Sequence, residues 1–392
     1  MTRTYLRALG IINALGSDVQ AVRAGMHAGS LSGIVARDDL VPQRNVNVAT
    51  VREELPPISP AFAAYDSRNN RLLQAAVDQI HSQIDAAVNH FGPARVGIVL
   101  GTSTSGILEG EQARREWHQT GAFPRGFDYR QQETSSPSEY LQRALGVTGP
   151  SFTVSTACTS SAKAFASARR LLRMNVCDAV IVGGADSLCG LTLNGFTALE
   201  SVAQGVCNPM SRNRDGITLG EGAAVLLMSR EPGPVCLLGV GESSDAYHIS
   251  GPDPQGRGAE LAMRAALADA SLDAGDVDYL NLHGTGTIQN DLVESHAVAR
   301  VFPAELPCSS TKPLVGHMLG AAGATELALC WLALTDAAAG TRLPPHVWDG
   351  ERDPALAPLQ LCGQDTVARD CHIMASNSFA FGGSNTTLIL AK

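Results

Sequence analysis

The amino-acid sequence predicts an α/β protein made of two α/β halves, and three observations carry that reading. Runs of β-branched and aliphatic residues alternate with alanine-rich stretches of helical spacing. A Pro-Gly-Pro break near the middle stops this rhythm, which then restarts. With 39 glycines, 44% hydrophobic and 17% charged residues among 392, the composition suits a well-packed enzyme rather than a disordered or fibrous chain. The length allows two average domains or one large fold with a substantial core.

Taken in order, the first segment, MTRTYLRALGIINALGSDVQ, puts two arginines ahead of an apolar run and superficially resembles a secretion signal. The run is brief, and Ser17-Asp18-Val19-Gln20 follows it as a capping-box pattern, so a strand, a loop and a helix of the fold itself are expected. Residues 96–100 read as a strand, 162–174 as a helix, and 179–182 and 223–228 as strands. Ser229-Arg230-Glu231-Pro232-Gly233-Pro234 disfavours both helix and central strand, which divides the chain into halves 1–232 and 233–392. The second half repeats the rhythm with a strand near 235–240, a helix near 258–270, a strand at 277–282 and a helix from about residue 320. Residues 321–339 are alanine-rich enough for a helix pair or one long helix. Residues 120–137, with Gly, Pro, Arg and Gln interspersed, read as a surface loop or a lid.

Composition also excludes whole classes of function. A formal net charge of -9 without a long basic run argues against nucleic-acid or anionic-membrane binding, and an acidic protein partner would need a local basic patch. No stretch approaches membrane-spanning length. The nine cysteines are widely spread and never form C-x-x-C, which argues against a disulfide framework or a structural zinc site and points to the reducing cytoplasm.

Four segments carry residues suited to chemistry. Cys158 lies between a β-like run and a helix beginning near Ala162, where backbone N–H groups and the helix dipole favour a thiolate and a lowered thiol pKa; otherwise it is a packed structural cysteine. His283 follows a strand and precedes glycines that admit a ligand, in Asn281-Leu282-His283-Gly284-Thr285-Gly286-Thr287. Lys312 and His317 lie in a Gly-rich turn ahead of an apolar helix, where the Lys either holds a carboxylate or tunes the imidazole. Residues 376–385 approach a glycine turn whose N–H groups either face an oxyanion or form an ordinary hairpin. Asp291 and Glu294, three residues apart, share a helical face near His296; a helix-start or ion-pair role is expected of them rather than a metal site.

These four segments, in this order and together with Arg214-Asp215-Gly216, Gly220-Glu221-Gly222-Ala223 and Ser243-Ser244-Asp245-Ala246-Tyr247-His248, resemble the beta-ketoacyl-[acyl carrier protein] synthases of the thiolase superfamily over nearly the whole chain. The resemblance implies a thiolase-like five-layered αβαβα fold of two similar halves, usually dimeric, with the active site between them. It makes Cys158 the acyl-accepting nucleophile and, with His283 and His317, the Cys-His-His set of the elongating branch, which performs decarboxylative condensation of an acyl thioester with malonyl-acyl carrier protein. Backbone N–H groups of Cys158 and Phe381 would hold the oxyanion, and Phe381 would gate the acyl pocket. Thr285 and Thr287 would bind the phosphopantetheine arm, and Lys312 would act beside His317 with Glu326 as its carboxylate partner. Asn281, Glu326, Ser376 and Asn377 match a monovalent-cation site of some relatives.

No metal or other cofactor is implied beyond the phosphopantetheine of the carrier protein. The expected partners are that carrier protein and either an identical subunit or a related synthase-like one. Two departures stand out: Gly286 occupies a position where many relatives have Ser, and Asn208 one where many have a carrier-binding Arg. Arg68, Arg71 and Arg212 are the remaining candidates for carrier contacts, and residues 102–108 are expected to line the acyl pocket. The competing readings are a thiolase-like acyl-CoA acyltransferase, a cysteine hydrolase and a non-catalytic chain-length partner. Residues 376–385 lack the second cysteine of a thiolase, and Cys158 with both histidines argues against a non-catalytic subunit.

Overall fold

The computed structural model describes residues 3–336, 340–368 and 370–392. Ten strands carry the architecture. The first five are β1 (Tyr5–Ile12), β2 (Val96–Gly101), β3 (Ser151–Val154), β4 (Ala179–Asp186) and β5 (Gly222–Ser229). The second five are β6 (Val235–Ser244), β7 (Tyr279–Asn281), β8 (Pro307–Ser309), β9 (Ile373–Phe379) and β10 (Ser384–Ala391). The first set is ordered β1-β5-β4-β2-β3 and the second β6-β10-β9-β7-β8, so the two halves share one strand order. Strand directions repeat as well: in each half the outer pair and its neighbour are antiparallel and the last three strands are parallel. Tyr5 and Leu6 of β1 pair with Cys236 and Val235 of β6 and join the two sheets.

Period-two alternation divides the apolar residues into three helical layers. Leu9, Ile11, Val99, Val180 and Val182 face the interior between the sheets, whereas Ile12, Ile98, Leu100, Ile181 and Val225 face an outer layer that includes the helices Arg68–Asp78 and Ser136–Ala144. The second sheet behaves alike, with Leu388 and Leu390 turned inward and Leu280 and Ile389 turned toward the helices Arg257–Ala270 and Ile288–Val301. The middle layer holds the helices Ser160–Arg173 and Ala322–Leu334. The second of these is apolar all round, which only a helix covered on every side can be, and every residue but Trp331 is buried. Each of its buried leucines contributes roughly 1.5–3 kcal/mol. The two helices approach closely because a Cβ on Gly323 would lie 2.8 Å from the Ala162 Cβ and 2.9 Å from its backbone N.

Several expectations are refined. The first helix spans Val19–His27, but Asp18 caps it, accepting from the N–H groups of Gln20 and Ala21, so Ser17 is not the cap. The stretch 321–339 contains one helix, Ala322–Leu334; residues 337–339 fall outside the described ones. The segment 120–137 is more ordered than a plain loop, with a helical turn at Tyr129–Gln132 capped by Asp128 and with Phe123 stacked between Trp117 and Phe127. Among the described residues, no helix is long and apolar enough to cross a membrane.

Asp186, at the end of β4, ties the halves together. One carboxylate oxygen accepts from Thr102 Oγ1, Ser103 N, Thr104 N and Thr104 Oγ1, and the other from Ala321 N, all at 2.7–2.9 Å. These five bonds repay the burial of the carboxyl, which raises its pKa. Asp186→Ala would leave buried donors of both halves unpaired and is expected to destabilise the protein by about 3 kcal/mol or more, read as a lower midpoint in urea unfolding.

Candidate active site

Three side chains that lie far apart in sequence converge in one cavity. Cys158 follows β3 and stands two residues before the helix Ser160–Arg173, after Ala157, whose φ of +52° bends the chain sharply. His317 lies between β8 and the other central helix, and His283 lies two residues past the end of β7. His317 Nε2 is 3.0 Å from Cys158 Sγ, and the two imidazoles meet edge to face with centroids 5.4 Å apart. The first half holds His317 in place: its N–H donates to Thr218 O (2.7 Å) and its carbonyl accepts from Gly220 N (3.1 Å).

Lys312 is fully buried, and its ammonium donates to Glu326 Oε1, to the His283 carbonyl and to His283 Nδ1 (3.3 Å). The contact expected beside His317 is therefore made to His283, because the ammonium reaches the strand end and not the turn that precedes the helix. An ammonium has no lone pair to offer, so Nδ1 of His283 accepts and the ring proton resides on Nε2.

Burial dominates the electrostatics. His283 and His317 are both held well below the usual imidazole range, first by desolvation and then by the Lys312 charge, so they are neutral at neutral pH. The Cys158 thiol is pushed up to about 12 by desolvation, with Lys312 and a hydrogen bond from the Phe381 N–H acting in the opposite direction. This corrects the expected lowering: the helix terminus and the cation do not outweigh the loss of water, and the resting group is a thiol. Sγ and the two imidazole nitrogens lie within 4.8 Å of one another. The buried ammonium beside them and the protonated thiol make that trio a poor cation site.

The loop after β7 is clamped by the two carboxylates of the next helix. Glu294 accepts from His283 N and Gly284 N, both at 2.7 Å, while Asp291 accepts from Gly286 N (3.2 Å) and from Met210 N (2.8 Å). Desolvation raises both carboxyls, Glu294 to about 7. They act at the helix start, binding backbone amides; His296 turns away to the Ala355 carbonyl. Spacing shows their shared face, but the backbone they grip follows only from the folded loop. Gly286 has φ +81°, and a Cβ there would lie 2.8 Å from Gly216 O, so this loop geometry disfavours a Ser.

A cavity of about 330 Å³ is lined by Cys158, His283, His317, Thr285, Thr287 and Phe381 among others. The two threonine hydroxyls are 2.9 Å apart, and Phe381 packs on Phe196 at 5.6 Å in the hairpin between β9 and β10. Residues 102–105 do not line this cavity; they wrap Asp186, and Ile107 lines a separate groove beside Phe123 and Leu191. Asn281 Oδ1, Ser376 Oγ and Glu326 Oε2 are buried without hydrogen-bond partners, oxygens of the kind that hold a monovalent cation, and Asn281 and Ser376 are in-register neighbours on β7 and β9. Asn377 does not join them: one strand position on, it bonds Thr387 and Glu294.

The three arginines considered for carrier contacts are engaged within the chain: Arg68 with Glu221, Arg71 with Asp66 and Arg212 with Glu351. Asn208, in the position of the missing Arg, donates to Asp349.

Doubled halves in five layers, with a cysteine at one central helix and two histidines from the opposite half, define a thiolase-like condensing enzyme. Comparison with known proteins agrees. Residues 41–232 match the beta-ketoacyl synthase N-terminal domain and residues 235–345 the C-terminal domain of the same enzymes. A nodulation protein E of Rhizobium meliloti is 35% identical over 80% of this chain and 79% of its own, and 3-oxoacyl-[acyl-carrier-protein] synthase 2 of Coxiella burnetii is 29% identical over 100% and 98%. A structure of the ketosynthase ApeO in complex with its chain length factor ApeC, from Xenorhabdus doucetiae, superposes with a TM-score of 0.95 at 44% identity, covering 100% of this chain and 98% of the other. The chain belongs to the beta-ketoacyl synthase family and is a condensing acyltransferase.

A thiol with a pKa near 12 is neutral across the physiological range, so its thiolate fraction rises tenfold per pH unit. Alkylation of Cys158 by iodoacetamide is expected to accelerate steadily from pH 6 to pH 9, followed by peptide mass; a plateau near pH 7 would show the thiolate already formed.

Proposed function

We propose that this chain lengthens an acyl group by decarboxylative Claisen condensation, with Cys158 as nucleophile and His283 and His317 as hydrogen-bond donors. The observation that carries the proposal is the convergence of the Cys158 sulfur, His317 Nε2 at 3.0 Å, His283 and the Phe381 N–H on one cavity.

In the first step the Cys158 thiol gives its proton to His317 Nε2 as its sulfur attacks the carrier-bound thioester. The tetrahedral oxyanion is received by the N–H groups of Cys158 and Phe381. Collapse breaks the carrier's C–S bond, and the departing thiolate recovers the proton from His317. The product is an acyl-Cys158 thioester and a free carrier thiol.

Malonyl-carrier protein then enters, with Thr285 and Thr287 facing its pantetheine arm. Loss of carbon dioxide leaves an enolate whose oxygen is stabilised by N–H groups of the two neutral imidazoles, the ring proton of His317 having moved from Nδ1 to Nε2 between the two steps. For His283 that group is Nε2–H, since Lys312 occupies Nδ1. The enolate carbon attacks the acyl-Cys158 carbonyl, and expulsion of the Cys158 thiolate, which takes up a proton from solvent to restore the resting thiol, completes the β-ketoacyl product. The expelled carboxylate supplies the driving force that a strong base would otherwise have to provide, so neutral donors suffice. Lys312 and Glu326 position His283, Phe381 gates the cavity, and Asn377 supports the Glu294 clamp from β9.

We divide the chain at 232/233 into a half that brings Cys158 and a half that brings both histidines, the site lying between them. The elongated product belongs to fatty-acid or polyketide-type chains, aryl polyenes included. A related synthase-like subunit as partner is supported by the structures that superpose on this chain, ApeO with ApeC and the ishigamide ketosynthase/chain length factor, the latter at TM-score 0.90 and 26% identity. The enzyme would work in the cytoplasm on carrier-borne substrates, without a cofactor of its own.

With an acyl primer and malonyl-carrier protein, the protein is expected to release carbon dioxide and give a product two carbons longer by mass. Cys158→Ala should abolish acyl-enzyme and product alike. Thioester loss without a longer product would indicate a hydrolase instead.

A further inference from the structure

Residues 346–353 form a strap that the chemistry above does not use, although two of its side chains grip the turn at 208–211. The strap begins beside β8, where His346 N donates to Cys362 O and Cys362 N to Cys308 O, both at 2.9 Å. Further along, Asp349 accepts from Asn208 Nδ2 (2.7 Å) and Ser211 Oγ (2.8 Å). The His346 imidazole, only 5% exposed, bridges that turn to the loop after β8: its Nδ1 accepts from Ser310 N (3.0 Å) and its Nε2 donates to Pro209 O (3.0 Å). Both partners have fixed polarity. A backbone N–H only donates and a carbonyl only accepts, so Nδ1 is bare and Nε2 carries the proton. Burial pushes this imidazole down to about 4, which keeps the neutral ring in place at neutral pH.

Each end of the bridge leads on to the two histidines of the proposed mechanism. Ser310 Oγ donates to Gly284 O (2.6 Å), next to His283, and Lys312, two residues on, donates to the carbonyl and ring of His283. On the other side Pro209 precedes Met210, whose N–H donates to Asp291 (2.8 Å), the carboxylate that also holds Gly286 N. Met210 has φ +63°, a left-handed backbone that a residue with a side chain keeps only where its surroundings enforce it. The loop carrying His283 is thus fastened to both ends of the bridge, and His317 lies on the segment that Ser310 begins.

We infer that His346 is a positioning residue: by joining Ser310 to Pro209 it sets His283 and His317 in the mutual register that lets both donate to one enolate oxygen. It does not line the cavity and acts only through these loops. The inference rests on the condensation proposed above, and that mechanism divides its consequences between two steps. Attack on the first thioester needs His317 beside Cys158, and the bonds of His317 to Thr218 and Gly220 hold that contact from the other half of the chain. Decarboxylation needs two N–H groups aimed at one oxygen, which a small displacement of either loop spoils.

The test follows the two steps separately in the wild type, His346→Phe and His346→Asn. Phe fills the site with a ring and loses both bonds, whereas Asn places its amide oxygen where Nδ1 stands and keeps the bond from Ser310. Formation of acyl-Cys158 from acyl-carrier protein, read by intact mass in a single turnover, is expected to stay within about twofold of wild type in both variants. Carbon dioxide release after addition of malonyl-carrier protein should show kcat lowered about thirtyfold in His346→Phe and about threefold in His346→Asn, with KM for malonyl-carrier protein unchanged. If His346→Phe does not fold, the same split is read in His346→Asn. Unchanged carbon dioxide release in His346→Phe, or in His346→Asn where that alone folds, overturns the inference. Equal slowing of both steps overturns it too, by making the residue a general support of the fold. So does a His346→Asn protein no faster than His346→Phe, which would show that the bond to Ser310 carries nothing. A wild-type protein that forms no acyl-enzyme and releases no carbon dioxide would instead refute the condensation itself.

Discussion

A buried ammonium organises this site. Taking a lysine charge out of water costs several kcal/mol, and the cost is met only when good partners replace the lost hydration. Lys312 finds three: a carboxylate oxygen of Glu326, the carbonyl of His283 and that residue's Nδ1. Each contact also does something for the site. Glu326 reaches Lys312 from the central helix, the carbonyl contact ties the ammonium to the end of β7, and the ring contact leaves His283 a single tautomer. The same charge lies close enough to depress both imidazoles and to oppose, without cancelling, the desolvation of the Cys158 thiol.

Duplicated topology explains why such distant residues meet. Cys158 follows the third strand of the first half and His317 the third strand of the second, each just before a helix of the central layer. Those helices touch where Gly323 leaves room for Ala162, so the two connecting loops come together by construction. The loops after the second strands have diverged. The one at 102–104 is wrapped round Asp186 and joins the halves, whereas the one at 283–287 is held by Glu294 and Asp291 and lines the cavity. One position in the repeat joins the halves and its counterpart shapes the cavity.

Much of the fold was legible because its signals are local. The continuous apolar run 179–182, the alanine spacing in 162–174 and the Pro-Gly-Pro stop at 232–234 depend only on near neighbours, and strand, helix and loop stand there. The hairpin β9–β10 was less readable: its strands carry Ser, Asn and Thr among their apolar residues, polar groups that are satisfied or buried only by tertiary contacts. At the site, the residue types and their segments could be read directly. The direction of the Cys158 pKa could not, since a helix terminus is visible in sequence and the depth of burial is not. For the same reason Arg68, Arg71 and Arg212 looked available until their carboxylate partners, two of them far along the chain, were seen.

By itself, then, the sequence determined the α/β rhythm, the break between two halves, and the cysteine and histidines proposed to carry the condensation, because each is a short pattern of residue types. Tertiary structure alone decided that Lys312 serves His283, that Glu294 and Asp291 grip backbone amides and that the thiol rests protonated. These are matters of distance and of exclusion from water. Both depend on where residues more than a hundred positions apart finally pack.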